Sequence, residues 1–253
     1  MTEDNQQEKA EKERLSRRKF IKNSGIAVGG LAAGGVIGSV IPWRKNTETS
    51  EQQKAGHEAK GTKNYNQALM NFTKAEFAVV DAASERIFPT DDNGPGASEL
   101  GVAFYIDHQL AGSYGFNARD YMEPPFFHGE DVQGYQGRLK RREIFKIGIR
   151  ELQNYSHQQF EKGFTKLSEE QQDEVLKDFQ EDKVKLATIS TSGFFELLRS
   201  ATLEGLYSDP LYGGNVDMDG WRMKNYPGNV MSYKDIIEKD FQEIEPSSLQ
   251  DHM

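Results

Sequence analysis

The chain has 253 residues, with 31 basic and 40 acidic side chains and a net charge of −9. This acidic balance excludes sequence-independent nucleic-acid binding, which needs clustered lysine and arginine. The complete absence of cysteine excludes disulfides, thiolate-held iron–sulfur clusters, covalently attached haem, cysteine zinc sites and a cysteine nucleophile. With 15 phenylalanines and 10 tyrosines, the chain has enough apolar surface for a globular core.

Residues 1–43 have the order of charge and hydrophobicity of an export signal. A basic stretch at 16–22 precedes an uncharged run at 25–41 that is rich in glycine and alanine. The stretch resembles the twin-arginine consensus, which directs folded proteins to the twin-arginine translocase. The positions that carry this resemblance are Ser16, Arg17, Arg18, Phe20 and Lys22. The alternative, a basic amphipathic helix on a membrane surface, is disfavoured because 25–41 has no polar face. We expect the segment to be either cleaved or kept as an anchor.

A flexible polar tether is expected at 44–67, where large apolar side chains are almost absent and ordering entropy is not offset. The helical domain is expected at 68–245, followed by a short tail at 246–253. Its first helix begins after Thr73, because Thr73 and Glu76 have the spacing of a capping box. Pro89 ends this helix.

Further helices are expected in chain order, separated by irregular segments. Their expected bounds are 98–110, 135–160, 168–183 with a capping box at Ser168, and 192–208. Two tracts rich in glycine, proline and aromatic residues, 112–134 and 209–230, are expected to be irregular, and strand patterns are scarce. The sequence therefore predicts a mainly α fold, a helical domain with long irregular loops.

No assembled catalytic or metal site is predicted. Asn215, Asp217 and Asp219 have the opening spacing of a calcium loop, but Tyr226 occupies the position where such loops have a bidentate glutamate. Hydrogen-bonded turn carboxylates are the preferred interpretation. The five histidines lack the spacing of a catalytic zinc site. Carboxylate pairs for glycoside chemistry, Asp91 and Asp92 beside Glu99 or Glu196 with Glu204, carry little weight in a chain with 40 acidic residues.

Aromatic side chains are concentrated in three stretches, 194–199, 207–215 and 220–228. Tyrosine, tryptophan, methionine and arginine are enriched where one protein binds another. The same rings could instead close the helical core, and composition alone leaves both interpretations open.

The motifs of this chain resemble those of the gluconate 2-dehydrogenase subunit 3 family. The matching pieces are Arg86-Ile87-Phe88-Pro89-Thr90-Asp91, Pro95-Gly96-Ala97, Gly101-Val102, Tyr105-Ile106-Asp107, Tyr207-Ser208-Asp209-Pro210, Gly213-Gly214-Asn215, Trp221, and Tyr226-Pro227-Gly228. The resemblance is weaker at 112–166, which matches only in helical character.

The resemblance implies a small subunit without a cofactor of its own. Its partner would be a large FAD-containing oxidoreductase of the glucose–methanol–choline type that oxidises gluconate or another polyol, sugar or sugar acid. A separate cytochrome would accept the electrons. The small subunit would carry the export signal for both chains and stabilise the flavoprotein at the extracytoplasmic face of the membrane, either anchored or peripheral.

Two hypotheses follow, and the residues favour the first. The first is this accessory subunit, with Trp221 and Tyr212 buried only in the complex. The second is a freestanding exported ligand- or metal-binding protein, or a hydrolase, that uses the aspartate-rich loops. For the first hypothesis, the expected partner interface comprises Pro89, Thr90, Asp91, Pro95, Gly96, Tyr207, Tyr212, Gly213, Gly214, Asn215, Trp221, Tyr226, Pro227 and Gly228.

Overall fold

The computed structural model describes residues 67–127, 129–133 and 135–253, which lie in one unit of the chain. Within these residues the regular structure consists of six α-helices and short 3₁₀ segments, with isolated β-bridges and no longer strand. The mainly α fold is confirmed. The helices are α1 Lys74–Ile87, α2 Val102–Ala111, α3 Arg141–Phe160, α4 Glu169–Gln180, α5 Thr191–Tyr207 and α6 Asp219–Arg222. The twin-arginine motif and nearly all of the expected tether lie outside the described residues.

Local capping signals set the starts of α1 and α4. Thr73 Oγ1 accepts a hydrogen bond from the Glu76 N–H, and the Glu76 carboxylate accepts one from the Thr73 N–H. Ser168 and Gln171 form the same reciprocal pair at the start of α4. These bonds satisfy N–H groups that a helix start leaves without partners. Both capping boxes confirm the sequence prediction, and α1 ends before Pro89 as expected.

Helix α5 is the centre of the domain, because it contacts each of the helices α1 to α4. Its apolar side with Phe194, Phe195 and Leu198 is buried. Helix α3 approaches closely at Gly148, where an added methyl group would overlap the Phe194 ring. The packing density of a protein core leaves no room for that group.

Two helices begin later than their sequence patterns indicate. Helix α2 starts at Val102 because Gly101 has a φ of 70°, a left-handed conformation that ends the preceding turn. Helix α3 starts at Arg141 and not at Tyr135. Tertiary contacts at Arg141 and Arg142 fix its first turn. The Arg141 N–H donates to Asn117 Oδ1 at 2.8 Å, and the Arg142 N–H donates to the Gly115 carbonyl at 3.2 Å.

Two further observations concern the described part of the chain. Every buried side-chain nitrogen or oxygen there has a hydrogen-bond partner, as expected for a well-packed domain. None of its helices has the length and apolar character needed to span a bilayer.

Candidate partner-binding site

Two loops that carry the expected interface residues meet in the structure. We call residues 88–97, between α1 and α2, the Pro89 loop, and residues 207–228 the Trp221 loop. Gly94 of the first loop lies against Met223 of the second, so closely that an added Cβ would overlap the thioether. The Trp221 loop also packs on the start of α2, where the Val216 N–H donates to the Leu100 carbonyl at 3.2 Å. Motifs more than 100 residues apart in sequence therefore form one surface.

The Pro89 loop is folded around the Glu85 carboxylate at the end of α1. This carboxylate accepts hydrogen bonds from the backbone N–H groups of Thr90 and Ser98, each at 2.9 Å. Thr90 Oγ1 in turn accepts from the Gly96 N–H at 2.9 Å. Burial is the main cause that raises the pKa of the neighbouring Asp81. The Glu85 charge raises this pKa further, and a hydrogen bond with Ser98 partly opposes the shift. Gly96 has no room for a side chain because a Cβ would overlap the Thr90 backbone. Several polar groups of this loop thus bond to one another and hold its shape.

The Trp221 loop is held by the buried amide of Asn215. Its Nδ2 donates to the Ser208 carbonyl at 2.8 Å, and its Oδ1 accepts from the Gly220 N–H at 2.8 Å. Asn215 itself has a φ of 49°, a left-handed conformation that asparagine tolerates better than most residues. The Trp221 indole Nε1 donates to the Tyr207 carbonyl at 2.8 Å. These bonds join the two ends of the loop.

The expectation that Trp221 is buried only in a complex is wrong. Its side chain is 4% exposed within this chain, because the indole packs against Gly228 and the Tyr226 ring. Phe194 and Phe195, in the first aromatic stretch, are likewise core residues of α5. The structure therefore shows that Trp221, Phe194 and Phe195 belong to the core of this chain and not to an exposed interface.

The remaining expected interface residues divide by exposure. Tyr212 is 47% exposed and Tyr226 is 49% exposed, so large aromatic surface is accessible on the Trp221 loop. Thr90 and Asp91 are also exposed. The half-buried residues are Pro89, Pro95, Tyr207 and Pro227, and the buried residues that shape the loops are Gly96, Gly213, Gly214, Asn215 and Gly228.

A tyrosine cluster beside Tyr212 was not expected from the sequence. Tyr105 of α2 donates to Glu204 of α5 at 3.4 Å, and Tyr114 and Tyr212 lie near enough to interact electrostatically with Tyr105. Burial, and after it the Glu204 carboxylate, raises the pKa of Tyr105 far above its ordinary value. Arg141 lies over the Tyr114 ring, 4.6 Å from its centroid. Residues 105 and 204 belong to different helices, so no local pattern indicates that they meet.

In the aspartate-rich loops, Asp91, Asp217 and Asp219 make contacts with residues close to them in sequence. Asp91 Oδ1 accepts from the Asn93 N–H at 2.8 Å, as in a hydrogen-bonded turn. Asp219 pairs with Arg222 at 3.0 Å, and the Asp217 carbonyl accepts from the same guanidinium. Among the residues described, no three His, Asp or Glu side chains are arranged to hold a metal ion. The Asp91 carboxylate thus makes the hydrogen bond of a turn, whereas the Asp219 carboxylate forms an ion pair and Asp217 contributes its backbone carbonyl.

Asp209 joins the Trp221 loop to the C-terminal residues. This buried carboxylate accepts from Asn229 Nδ2 at 2.5 Å, from Ser248 Oγ at 2.7 Å and from the Leu249 N–H at 2.8 Å. The expected tail at 246–253 is therefore tied to the helical domain through Ser248 and the 3₁₀ segment Leu249–His252.

Comparison with known protein families gives a match over most of the described domain. The model of one protein family, gluconate 2-dehydrogenase subunit 3, matches residues 74–228, a range that contains both loops and all six α-helices. The chain matches no curated protein and no solved structure. The family is a subunit of a gluconate 2-dehydrogenase complex, which implies a partner dehydrogenase. Because its model covers more than half of the sequence, the chain belongs to the gluconate 2-dehydrogenase subunit 3 family.

Proposed function

We propose that this chain is the non-catalytic small subunit of an extracytoplasmic FAD-dependent dehydrogenase that oxidises gluconate, a polyol or a sugar. In this proposal the FAD and the catalytic residues belong to a large partner of the glucose–methanol–choline type, and a separate cytochrome accepts the electrons. The small subunit stabilises the partner by binding it. Membership of the gluconate 2-dehydrogenase subunit 3 family is the observation that carries the proposal.

The loop surface supports a binding role. The Pro89 and Trp221 loops are held in shape by internal hydrogen bonds, while Tyr212 and Tyr226 of the Trp221 loop remain about half exposed. A rigid platform with exposed tyrosines suits a protein interface, because binding then costs little conformational entropy. We therefore place the partner on this surface.

The proposed route to the membrane is the twin-arginine pathway. The Arg17-Arg18 pair and the apolar run at 25–41 support it, although they lie outside the described residues. This pathway exports folded proteins, so one signal can serve two chains that have already assembled. The small subunit would then escort the flavoprotein to the extracytoplasmic face of the membrane.

The test is to purify the full chain from native membranes through a C-terminal tag. We expect a co-purifying dehydrogenase with a flavin absorption band and dye-linked oxidation of gluconate, glucose or related polyols. Tyr212→Ser combined with Tyr226→Ser should release the dehydrogenase, because it removes two exposed aromatic contacts. Tyr121→Ser, which changes an exposed tyrosine outside both loops, is the matched control and should leave the complex intact. A colourless monomer would contradict the proposal.

Export is tested separately with Arg17→Lys combined with Arg18→Lys. This variant keeps the charge but removes the arginine pair, so both chains should disappear from the membrane fraction together. Lys9→Arg combined with Lys12→Arg leaves the pair intact and should be exported normally. If the dehydrogenase still reaches the membrane when the small subunit does not, the escort role is wrong.

A further inference from the structure

Residues 230–246 form a segment that is held at both ends and exposed in between. Asn229 and Ser248 are both bonded to Asp209, and the Asn229 N–H donates to the Ser247 carbonyl at 2.8 Å. Within the segment, Ile237 is 75% exposed and Phe241 is 96% exposed. Exposed apolar side chains mark an interaction site when they form one contiguous surface, and in this segment that depends on the backbone conformation.

The apolar residues of this segment have the spacing of an amphipathic helix. Tyr233, Ile237, Phe241 and Ile244 fall within an arc of about 80° when residues are placed 100° apart. Ile236 lies beside this stripe, with Asp240 between them. The intervening residues are mainly charged, and Pro246 follows as a stop signal. A stripe of this kind binds in an apolar groove.

The first turn of this helix is already present. Ser232 Oγ accepts from the Lys234 N–H at 3.2 Å, as an N-cap residue does. The Tyr233 carbonyl accepts from Ile236 at 3.0 Å and from Ile237 at 2.9 Å, and the latter is an α-helical bond. After Lys239 the chain continues without regular structure to residue 246. Helix formation has thus begun but is not propagated, as expected of a short segment without a packing partner.

The length of the segment permits a complete helix without release of its ends. Residues 233–244 would form a helix about 18 Å long. The two connections, from residue 229 to 233 and from 244 to 247, together span about 23 Å when extended. This total exceeds the length of the helix. Both ends can therefore remain attached at Asp209. Because the ends are already held, less conformational entropy is lost on ordering the segment.

The negative charge of the segment distinguishes between the possible binding partners, which are a membrane surface, a second copy of the chain and a different protein. Residues 231–246 contain two lysines and five carboxylates, a net charge of −3. An anionic membrane surface would repel this polar face, and so would a second copy of a chain whose net charge is −9. A protein groove with an apolar floor and lysine or arginine along its rim would attract it.

We propose that residues 233–244 complete a helix on docking into such a basic-rimmed apolar groove of the partner dehydrogenase. This inference rests on the proposed function and adds a second contact outside the range that the family model matches. Helix formation brings Tyr233, Ile237 and Phe241 onto one side, where the groove buries them. The proposed contact lies after the range that the family model matches, whereas the loop surface lies within that range.

The direct test measures hydrogen exchange in the complex purified from membranes. Amides from 240 to 244, which follow the turn that is already present, should exchange at least about tenfold more slowly than those of 121–127, an exposed irregular loop of the same chain that serves as an internal reference. Equal exchange rates in the two segments would overturn the proposal.

A proline variant separates helix formation from side-chain chemistry. Asp240→Pro and Asp240→Ala both remove the carboxylate, but only proline lacks the N–H that the helix needs and obstructs its backbone. Asp240→Pro should lower the dehydrogenase retained by the tagged full chain at least about tenfold, while Asp240→Ala should retain it. Because residue 240 is exposed, both variants should keep the wild-type melting temperature. Equal retention by the two variants would contradict the inference.

A side-chain variant tests the apolar stripe. Ile237→Ser combined with Phe241→Ser should release the dehydrogenase, whereas Tyr121→Ser combined with Phe127→Ser, which removes two comparably exposed rings, should not. If wild type binds the dehydrogenase and the stripe variant binds it equally, this inference fails and the proposed function stands. If wild type binds none, the proposed function fails. A stripe variant that keeps the dehydrogenase but leaves the membrane fraction would identify a lipid surface as the occupant and overturn the proposal.

Discussion

The Asp107 carboxylate in α2 accepts a hydrogen bond from the Phe72 N–H at 2.6 Å, and both residues are buried. The same carboxylate accepts from Met70 at 2.5 Å and from Asn71 at 3.0 Å. Three N–H groups together offset the cost of burying a charge. His108 supports this contact, because its Nε2 lies 2.9 Å from the Ala68 carbonyl. Residues 68–72, which enter the domain after the expected tether, are thus fixed to α2.

Asp107→Asn should destabilise the domain by about 1 to 3 kcal/mol, because the amide NH₂ takes the place of Oδ2 and faces the Met70 N–H, while a neutral amide oxygen binds the Asn71 and Phe72 N–H groups more weakly than a carboxylate does. Urea denaturation of the full chain measures this difference. Asp120→Asn, which weakens an exposed ion pair with Arg141, is the control and should cost no more than about 1 kcal/mol. Equal losses in the two variants would contradict the role of Asp107.

Asp209→Ala should loosen the C-terminal residues more than the helical core. The variant removes the acceptor of Asn229, Ser248 and the Leu249 N–H, while α1 to α5 keep their packing. Limited proteolysis should cut between 229 and 249 faster than in wild type, with the helical fragment surviving. Asp235→Ala lies within the cleaved segment without contacting Asp209 and serves as the control. Unchanged cleavage in Asp209→Ala would show that this carboxylate does not hold the segment.

Gly148→Ala should destabilise the protein by about 1 to 3 kcal/mol, although alanine is the better helix former. The added methyl group would overlap the Phe194 ring where α3 crosses α5. Gly112→Ala is the control, because a Cβ there would make only ordinary contacts at 3.6 Å and its φ is −95°. Melting temperatures of the two variants provide the comparison. A Gly148→Ala protein as stable as wild type would mean that the two helices do not pack this closely.

Asp182 should contribute stability that depends on pH. A hydrogen bond with Lys185 is the main cause that lowers its pKa from 3.8 to about 2, and bonds from Thr191 and Ser192 add to it. A carboxyl with a lowered pKa stabilises the folded state above pH 4, and this contribution is lost as the pH falls through 2. Wild type should therefore exceed Asp182→Asn in stability at neutral pH, and the difference should shrink between pH 4 and pH 2.

Lys185→Met provides the control for this titration. Without the ammonium group, the pKa of Asp182 should rise toward its ordinary value, and the loss of stability should begin at a higher pH. Denaturation curves recorded at each pH for the three proteins measure the effect. A pH dependence that is the same in wild type and Lys185→Met would rule out this ion pair as the cause.

The sequence by itself determined the starts of those helices that are capped by residues only three positions away along the chain. Thr73 with Glu76 and Ser168 with Gln171 cap α1 and α4 as predicted, because each pair joins a side chain to a backbone N–H three residues away. The helical class and the family motifs were also recognisable, since apolar spacing and short motifs are local properties. The exposed tyrosines of the Trp221 loop belong to stretches that composition had already indicated as either interface or core.

Only the tertiary structure decided which of those aromatic residues are accessible and where long-range bonds hold the chain. Trp221 is buried by its own loop while Tyr212 is exposed, although both belong to the same aromatic region of the sequence. Asp107 reaches Phe72 across 35 residues, and Tyr105 reaches Glu204 across 99. Such pairs form because segments that are distant in sequence pack against one another in the folded domain. Burial and long-range hydrogen bonds are properties of that packing, so no local pattern of residues contains them.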